Sequence, residues 1–204
     1  MKKLLIAFCL CFCCTGVSYA ECSVKKPSVQ LSFHKIEPQY YSKPAKDVQK
    51  ACSDATYVSY VPVGCTRYYI SYEYNYKTSK GKGCKQITNV EMKLYYKKGD
   101  FYVYIDDRYP EDSCEYNAIK KHEDMHVKID QTVRKKKMKK KLEECILKIN
   151  EDKPKEQDLN TRVGQCAKEV FDWDENIRKN KNKELDFDEE KQPGALDKSC
   201  KWEK

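Results

Sequence analysis

Two histidines and a glutamate share one short segment, His122-Glu123-Asp124-Met125-His126, which has the form HExxH. In a helix, positions i and i+4 project from the same face, so the two imidazoles can bind one zinc ion at roughly 2.0–2.1 Å. Glu123 leaves the helix about 100° from His122, beside the metal, where a carboxylate can act as general base toward zinc-activated water. The pattern therefore predicts a zinc site of His122 and His126 with Glu123 as the catalytic base.

A catalytic zinc site has three protein ligands and an open fourth position, so a third ligand is needed. Asp130 lies one turn past His126, but on a straight helix its Cα would be about 12 Å from that of His122, which strains a shared metal. Glu144 follows His126 by eighteen residues. It would need a break in the helix between them. The residues around the motif leave both alternatives open.

A tyrosine-rich region before the motif is predicted to form a sheet. Residues 66–77 alternate tyrosine or isoleucine with polar residues, the period of a strand with one buried face. Further strands are expected at Ala55–Val63, Ile87–Tyr96 and Phe101–Ile105, the last two joined by a hairpin turn at Lys97–Asp100. These segments predict an antiparallel sheet of about three to five strands.

Helical patterns follow the sheet. Acidic residues precede a helix that is expected from about Cys114 to about Asn150. Its apolar face shifts to nearly the opposite side past Arg134–Lys141, so the helix either meets a new partner or breaks there. A second helix is expected at Leu159–Asn180, and the charged tail from Lys181 is expected to be irregular. The predicted fold class is α+β, with a small antiparallel sheet, a long HExxH-bearing helix and a second helix.

The N-terminus has the pattern of a secretory signal. Two lysines precede an apolar run, and Ser18-Tyr19-Ala20 offers the small residues that signal peptidase requires, so cleavage is expected after Ala20. The run is shorter than the about 18 apolar residues that span a bilayer, and we expect no transmembrane segment in the mature chain. A lipid anchor at Cys22 is the weaker alternative, because Glu21 before it is not a small residue.

Cleavage after Ala20 would leave eight of the twelve cysteines. They are Cys22, Cys52, Cys65, Cys84, Cys114, Cys145, Cys166 and Cys200. An even number in an exported chain predicts disulfide bonds, up to about four. Zinc binding by thiolates is less favoured, because it usually uses close CxxC pairs and no two of these eight cysteines are that close. The mature chain, residues 21–204, is expected to be one secreted or periplasmic zincin-like domain.

Positive charge is concentrated at Arg134–Lys141, where seven of eight residues are basic. Such a run can attract phosphate or anionic lipid, but it is more often a solvated helix face, and we favour that interpretation. Nucleic acid is not an expected partner of an exported chain.

The combined pattern resembles an uncharacterised bacterial family of predicted secreted zinc-dependent proteases. Over about residues 55–195 the matching features are the tyrosine-rich strands, Cys84 in GCKQITNVEMKLYY, the segment YNAI before HEDMH, Cys145, and FDEEKQPG at 187–194. This last segment is similar to the family's YDxxTxHG motif, with Lys191 in place of threonine and Pro193 in place of histidine. The resemblance implies a zinc protease and makes Asp188 a candidate third metal ligand.

The resulting expectation is a secreted zinc metallohydrolase, a metalloprotease that acts on a peptide or protein substrate. The alternative is a non-catalytic secreted module that retains the HExxH helix and binds a metal or a partner. The third ligand separates the two interpretations. Three protein ligands leave a position for water, whereas four, or none beyond the histidines, favour the module.

Overall fold

A computed structural model of the chain describes residues 24–52, 62–81, 84–191 and 200–202. The strands are β1 (Ser28–His34), β2 (Gln39–Lys43), β3 (Gly64–Gly81) and β4 (Cys84–Asp106). The helices are α1 (Ala45–Ala51), α2 (Cys114–Asp130), α3 (Lys135–Asp152) and α4 (Glu156–Lys191). The predicted α+β class is confirmed. The expected signal segment and most of the expected strand at Ala55–Val63 lie outside the described residues.

The sheet is built around β4. β3 runs antiparallel along the whole of one edge, as predicted. On the other edge, β1 pairs in parallel with residues 89–95 and β2 pairs in parallel with residues 102–106. The sheet is therefore mixed, with β4 at its centre, the antiparallel β3 on one side and two short parallel strands on the other.

The predicted hairpin at Lys97–Asp100 is wrong, because β4 continues through these residues. Ile70 pairs with Tyr96 and Tyr68 pairs with Phe101, so four residues of β4 lie opposite one residue of β3. An insertion of this kind is a β-bulge, and it changes which positions face the core. From Val90 to Tyr96 the buried positions of β4 are even, and after the bulge the buried apolar positions are odd: Val90, Met92, Leu94 and Tyr96, then Phe101, Val103 and Ile105.

The largest apolar core lies between the sheet and the helices α3 and α4. The α3 residues in it are at most 2% exposed: Met138, Leu142, Ile146 and Ile149. A second apolar cluster lies under α2, where Ile119 and Val127 meet the last part of β4. α3 and α4 together therefore cover one stretch of the sheet, and α2 covers another.

The long helix predicted from Cys114 is two helices, which is one of the two alternatives that the shift of apolar face left open. α2 ends at Asp130 and α3 begins at Lys135, at the start of the lysines. Neither glycine nor proline makes the break. The backbone N–H of Arg134 donates instead to the carboxylate of Asp174, 3.3 Å away, and Asp174 is fully buried. The lysines around the buried Met138 are exposed, as expected of a solvated face.

The charged tail was predicted to be irregular from Lys181, and that is wrong for residues 181–191, which belong to α4. The helix continues because two of its later side chains are held by α2. Asn182 lies 3.1 Å from a ring nitrogen of His126, and Asp186 lies 2.9 Å from the other. These contacts stabilise the last turns of α4, whose charged residues would otherwise remain in solvent.

Disulfide bonds join the elements, as the cysteine count predicted. The pairs are Cys52–Cys65 between α1 and β3, Cys114–Cys200 between α2 and the C-terminal segment, and Cys145–Cys166 between α3 and α4. Their Cα atoms are 5.4–5.9 Å apart, as is usual for disulfides. Cys22 and the side chain of Cys84 lie outside the described residues. Disulfides are typical of an extracellular or periplasmic compartment.

Within the described ranges, none of the helices has the length and apolar character to cross a membrane.

Candidate metal centre

The HExxH segment lies in the second half of α2, against the start of β3. Ser113 caps the helix by accepting a hydrogen bond from the Tyr116 N–H at 3.0 Å, which satisfies one free donor of the first turn. Gly64 allows the helix to come close. A Cβ at that position would lie 2.6 Å from Cγ2 of Ile119 and 2.7 Å from Oε1 of Glu123. The strand therefore packs directly against the glutamate of the motif.

Three side chains bring donor atoms together at one point. Nε2 of His126 lies 2.9 Å from Nε2 of His122 and 2.9 Å from Oδ1 of Asp186, and the His122–Asp186 separation is 3.6 Å. Ligands about 2.0–2.1 Å from a tetrahedral zinc ion are roughly 3.3 Å apart, so the triangle fits a metal to within a few tenths of an ångström. His122, His126 and Asp186 could thus hold a metal ion.

The three donor side chains differ in exposure. The side chain of Asp186 on α4 is 29% exposed, whereas those of His122 and His126 are 12% and 10% exposed. Asp186 is therefore the most solvent-accessible of the three.

The structure places the three candidates for the third ligand in different surroundings. Asp130 is buried behind His126 and accepts a hydrogen bond from Asn182 at 2.8 Å. Glu144 lies on the exposed side of α3, 3.8 Å from Lys140. Neither belongs to the donor group. Asp188 lies in the last turns of α4, but its side chain is outside the described part of the chain, so its role stays a prediction.

Sequence reasoning missed Asp186. A signal was present, because four polar residues recur every fourth position near the C-terminus: Asp174, Arg178, Asn182 and Asp186. This spacing has meaning only on a helix. The predicted helix ended at Asn180, so the last two members fell in a segment that was expected to be irregular.

Burial and charge together set the protonation of the donor group. Burial would raise the pKa of Asp186, but hydrogen bonds and positive charge from the two histidines outweigh it and lower that pKa to about 2. Burial would likewise lower the pKa of His126, yet the hydrogen bond to Asp186 and the charge of Glu123 raise it overall. An ionised carboxylate thus stabilises a positive charge on the rings, and a metal cation would replace the proton there.

Glu123 is buried beside this group, at 3% exposure. The hydroxyl of Thr66 on β3 donates to its Oε2 at 2.8 Å. Burial raises the pKa of Glu123, and the nearby histidines and the Thr66 hydrogen bond only partly oppose that rise. The arrangement therefore holds a carboxylate of increased basicity next to the metal ligands.

No protein-family model matches the chain, and comparisons with curated proteins and with solved structures find no match either. The resemblance to secreted zinc-dependent proteases therefore stays a prediction from the motifs in the sequence.

Proposed function

We propose that the chain is an exported zinc-dependent peptidase, in which His122, His126 and Asp186 bind the metal and Glu123 is the general base. The observation that carries the proposal is the triangle of donor atoms with 2.9, 2.9 and 3.6 Å edges beside a buried glutamate. The three disulfides support the proposed export, because such bonds persist in oxidising surroundings outside the cytoplasm.

The ligand set favours zinc with an open position. Two imidazoles and one carboxylate are a combination found in catalytic zinc sites, where the fourth position is left for water or substrate. The described residues supply three such donors within 4.8 Å of one another. A zinc ion bound there would lower the pKa of a water ligand and polarise a carbonyl group. A structural site normally uses four protein ligands, so the three support the enzyme over the non-catalytic module.

Glu123 has the surroundings of a proton carrier. Thr66 holds one carboxylate oxygen, Oε2, at 2.8 Å. A general base works best when its pKa is near the working pH, and the raised pKa of Glu123 moves it in that direction. In the proposed reaction its carboxylate accepts the proton of the attacking water and then protonates the leaving amine of the peptide.

The test is Glu123→Gln in the zinc-loaded mature protein, assayed against a broad peptide library. Glutamine keeps the shape and can still accept the Thr66 hydrogen bond, but it cannot take up a proton as a carboxylate does. We expect zinc content and unfolding midpoint to stay at the wild-type values, while the cleavage rate falls by at least about a hundredfold.

Glu144→Gln is the matched control, because it makes the same chemical change at an exposed position of α3. It should cleave like the wild type. Equal rates for Glu123→Gln and wild type would contradict the role of Glu123. A zinc-loaded wild type that cleaves no peptide in the library would contradict the peptidase and favour the non-catalytic module.

A further inference from the structure

α2 and α4 face each other along a line of polar side chains, which we call the polar seam. Its members are His122, His126 and Asp130 on α2 and Asp174, Arg178, Asn182 and Asp186 on α4. Four residues are about 400° of helix rotation, so each member is offset by only about 40° from the next and neighbouring members share a face. The helices are antiparallel in the seam, because Asp186 meets the histidines and Asp174 meets Arg134, just past the end of α2.

Asn182 lies between the metal ligands and the rest of the seam. Its Oδ1 is 3.1 Å from Nδ1 of His126, and its Nδ2 donates to Oδ1 of Asp130 at 2.8 Å. One amide therefore contacts both a candidate metal ligand and a carboxylate that the sequence had suggested as a ligand. Asp130 acts on the site through Asn182.

These contacts determine where the proton of His126 lies. The NH₂ of Asn182 donates to Asp130, so the oxygen of the same amide faces His126. An amide oxygen only accepts, so Nδ1 of His126 carries the proton and donates it. Nε2 faces Asp186 at 2.9 Å, so a metal bound there would replace the proton of Nε2 while Nδ1 keeps its own.

Asp130, the anchor of Asn182, lies among other buried polar groups. Asp130 is fully buried, and the positive charge of Arg178 acts on it. Arg178 is also fully buried, and its Nε donates to Oδ2 of Asp174 at 3.0 Å. Its guanidinium carbon lies 5.7 Å from the centre of the Tyr68 ring. A flip of the Asn182 amide would turn its oxygen toward Asp130 and lose the hydrogen bond to that carboxylate, which favours one orientation of the amide.

We propose that Asn182, anchored by Asp130, is a positioning residue that fixes His126 as its Nδ1–H tautomer and so raises the affinity for metal. The inference rests on the proposed metal site but not on the peptidase activity. It assigns Asp130 a supporting role one layer behind the ligands.

The first experiment uses the unaltered protein loaded with zinc. Nitrogen-15 NMR of the imidazole rings distinguishes a protonated ring nitrogen from a metal-bound one. We expect His126 to show a protonated Nδ1 and a metal-bound Nε2. A metal-bound Nδ1, or an Nδ1 without a proton, would overturn the inference. The experiment needs no substitution, so it holds even if a seam variant fails to fold.

The second experiment compares Asn182→Ala with Asn180→Ala, an exposed asparagine of the same helix. Zinc affinity is measured by competition with a chelator, and the visible spectrum of bound Co²⁺ reports the ligand geometry. We expect Asn182→Ala to weaken zinc binding by about 10–100-fold and to change the cobalt spectrum, as the loss of a supporting hydrogen bond does elsewhere. Asn180→Ala should match the wild type in both readouts.

Two further variants separate this inference from the metal site. His122→Ala and His126→Ala should each abolish stoichiometric zinc binding. If they do, and Asn182→Ala binds zinc as tightly as Asn180→Ala, the positioning role is wrong while the metal site stands. If the histidine variants also keep stoichiometric zinc, the metal site is wrong and the positioning role is overturned with it.

Discussion

α2 and α3 are neighbours in the chain and nearly equal in length, at 17 and 18 residues, but they bury opposite kinds of side chain. α3 buries four apolar residues and one amide, Asn150, which pairs with the backbone of Ile87. α2 buries Glu123, His126 and Asp130 beside two apolar residues. Buried hydrocarbon stabilises a fold, whereas buried charge costs free energy unless it is paired. The contrast indicates that α3 contributes stability and that α2 places reactive groups.

The side chains of the polar seam are polar or charged, so they add little to the stability of the fold unless they are paired. Arg178 and Asp174 are both fully buried and form an ion pair. A buried pair of this kind is roughly neutral for stability, but removal of one member leaves an uncompensated charge. Local departures from good packing are expected where a site has a function. The seam therefore depends on the apolar clusters on either side of it, under α2 and between α3, α4 and the sheet, to remain folded.

The largest effect should come from Asp186→Ala, which removes the ligand that α4 contributes to α2. We expect zinc binding to weaken by more than about a hundredfold, because each ligand contributes part of a binding free energy on the order of 10 kcal/mol. Metal affinity is measured by chelator competition at neutral pH. The same helix offers Asp188→Ala for comparison, and this variant should bind zinc like the wild type. If Asp188→Ala abolished binding and Asp186→Ala did not, the ligand implied by the family resemblance would be the true one.

Local patterns in the sequence predicted the parts of the molecule that a local pattern determines. The alternation at residues 66–77 predicted β3, and the i, i+4 histidines predicted two of the three donors. The parallel pairing of β1 and β2 with β4 was missed, because it is set by long-range contacts. The bulge at Lys97–Asp100 resembled a hairpin, since both change the alternation of buried residues.

The third donor was missed for a related reason. Asp186 follows His126 by sixty residues, so only the antiparallel packing of α4 on α2 brings them together. The highly charged segment past Asn180 has no apolar stripe to predict a helix. Its helical structure depends on tertiary contacts through Asn182 and Asp186, which propensity does not report.

A smaller effect, on stability alone, is expected for Leu142→Ala in α3. Leu142 is fully buried between α3 and the sheet. The loss of its side chain should lower the free energy of unfolding by about 2–5 kcal/mol, as for other large-to-small changes in a core. Urea denaturation measures it. Lys148→Ala on the exposed face should change stability by less than about 0.5 kcal/mol. The fraction of Leu142→Ala that remains folded should bind zinc with wild-type affinity. A hundredfold weaker affinity would show that α3 affects the metal site as well as stability.

The most gradual effect is the pH dependence of Asp130→Asn in metal-free protein. Folding raises the pKa of Asp130 from 3.8 to about 7, chiefly through burial. Between those pH values the folded protein binds one proton more than the unfolded chain. The contribution of Asp130 to wild-type stability is therefore complete below pH 3.8, and it falls by at most about 1.4 kcal/mol per pH unit as the pH rises to about 7.

Asparagine cannot titrate, and its oxygen can still accept the hydrogen bond from Asn182. The stability of Asp130→Asn relative to wild type should therefore increase steadily from pH 3.8 to about pH 7 and stay constant above it. Chemical denaturation at a series of pH values, with a chelator present, measures this difference. Asp107→Asn, at an exposed position after β4, controls for the loss of one negative charge. A difference between Asp130→Asn and wild type that does not change over this interval would mean that Asp130 is ionised in the folded protein at low pH. The polar seam would then hold its charges at less cost than the comparison with α3 implies.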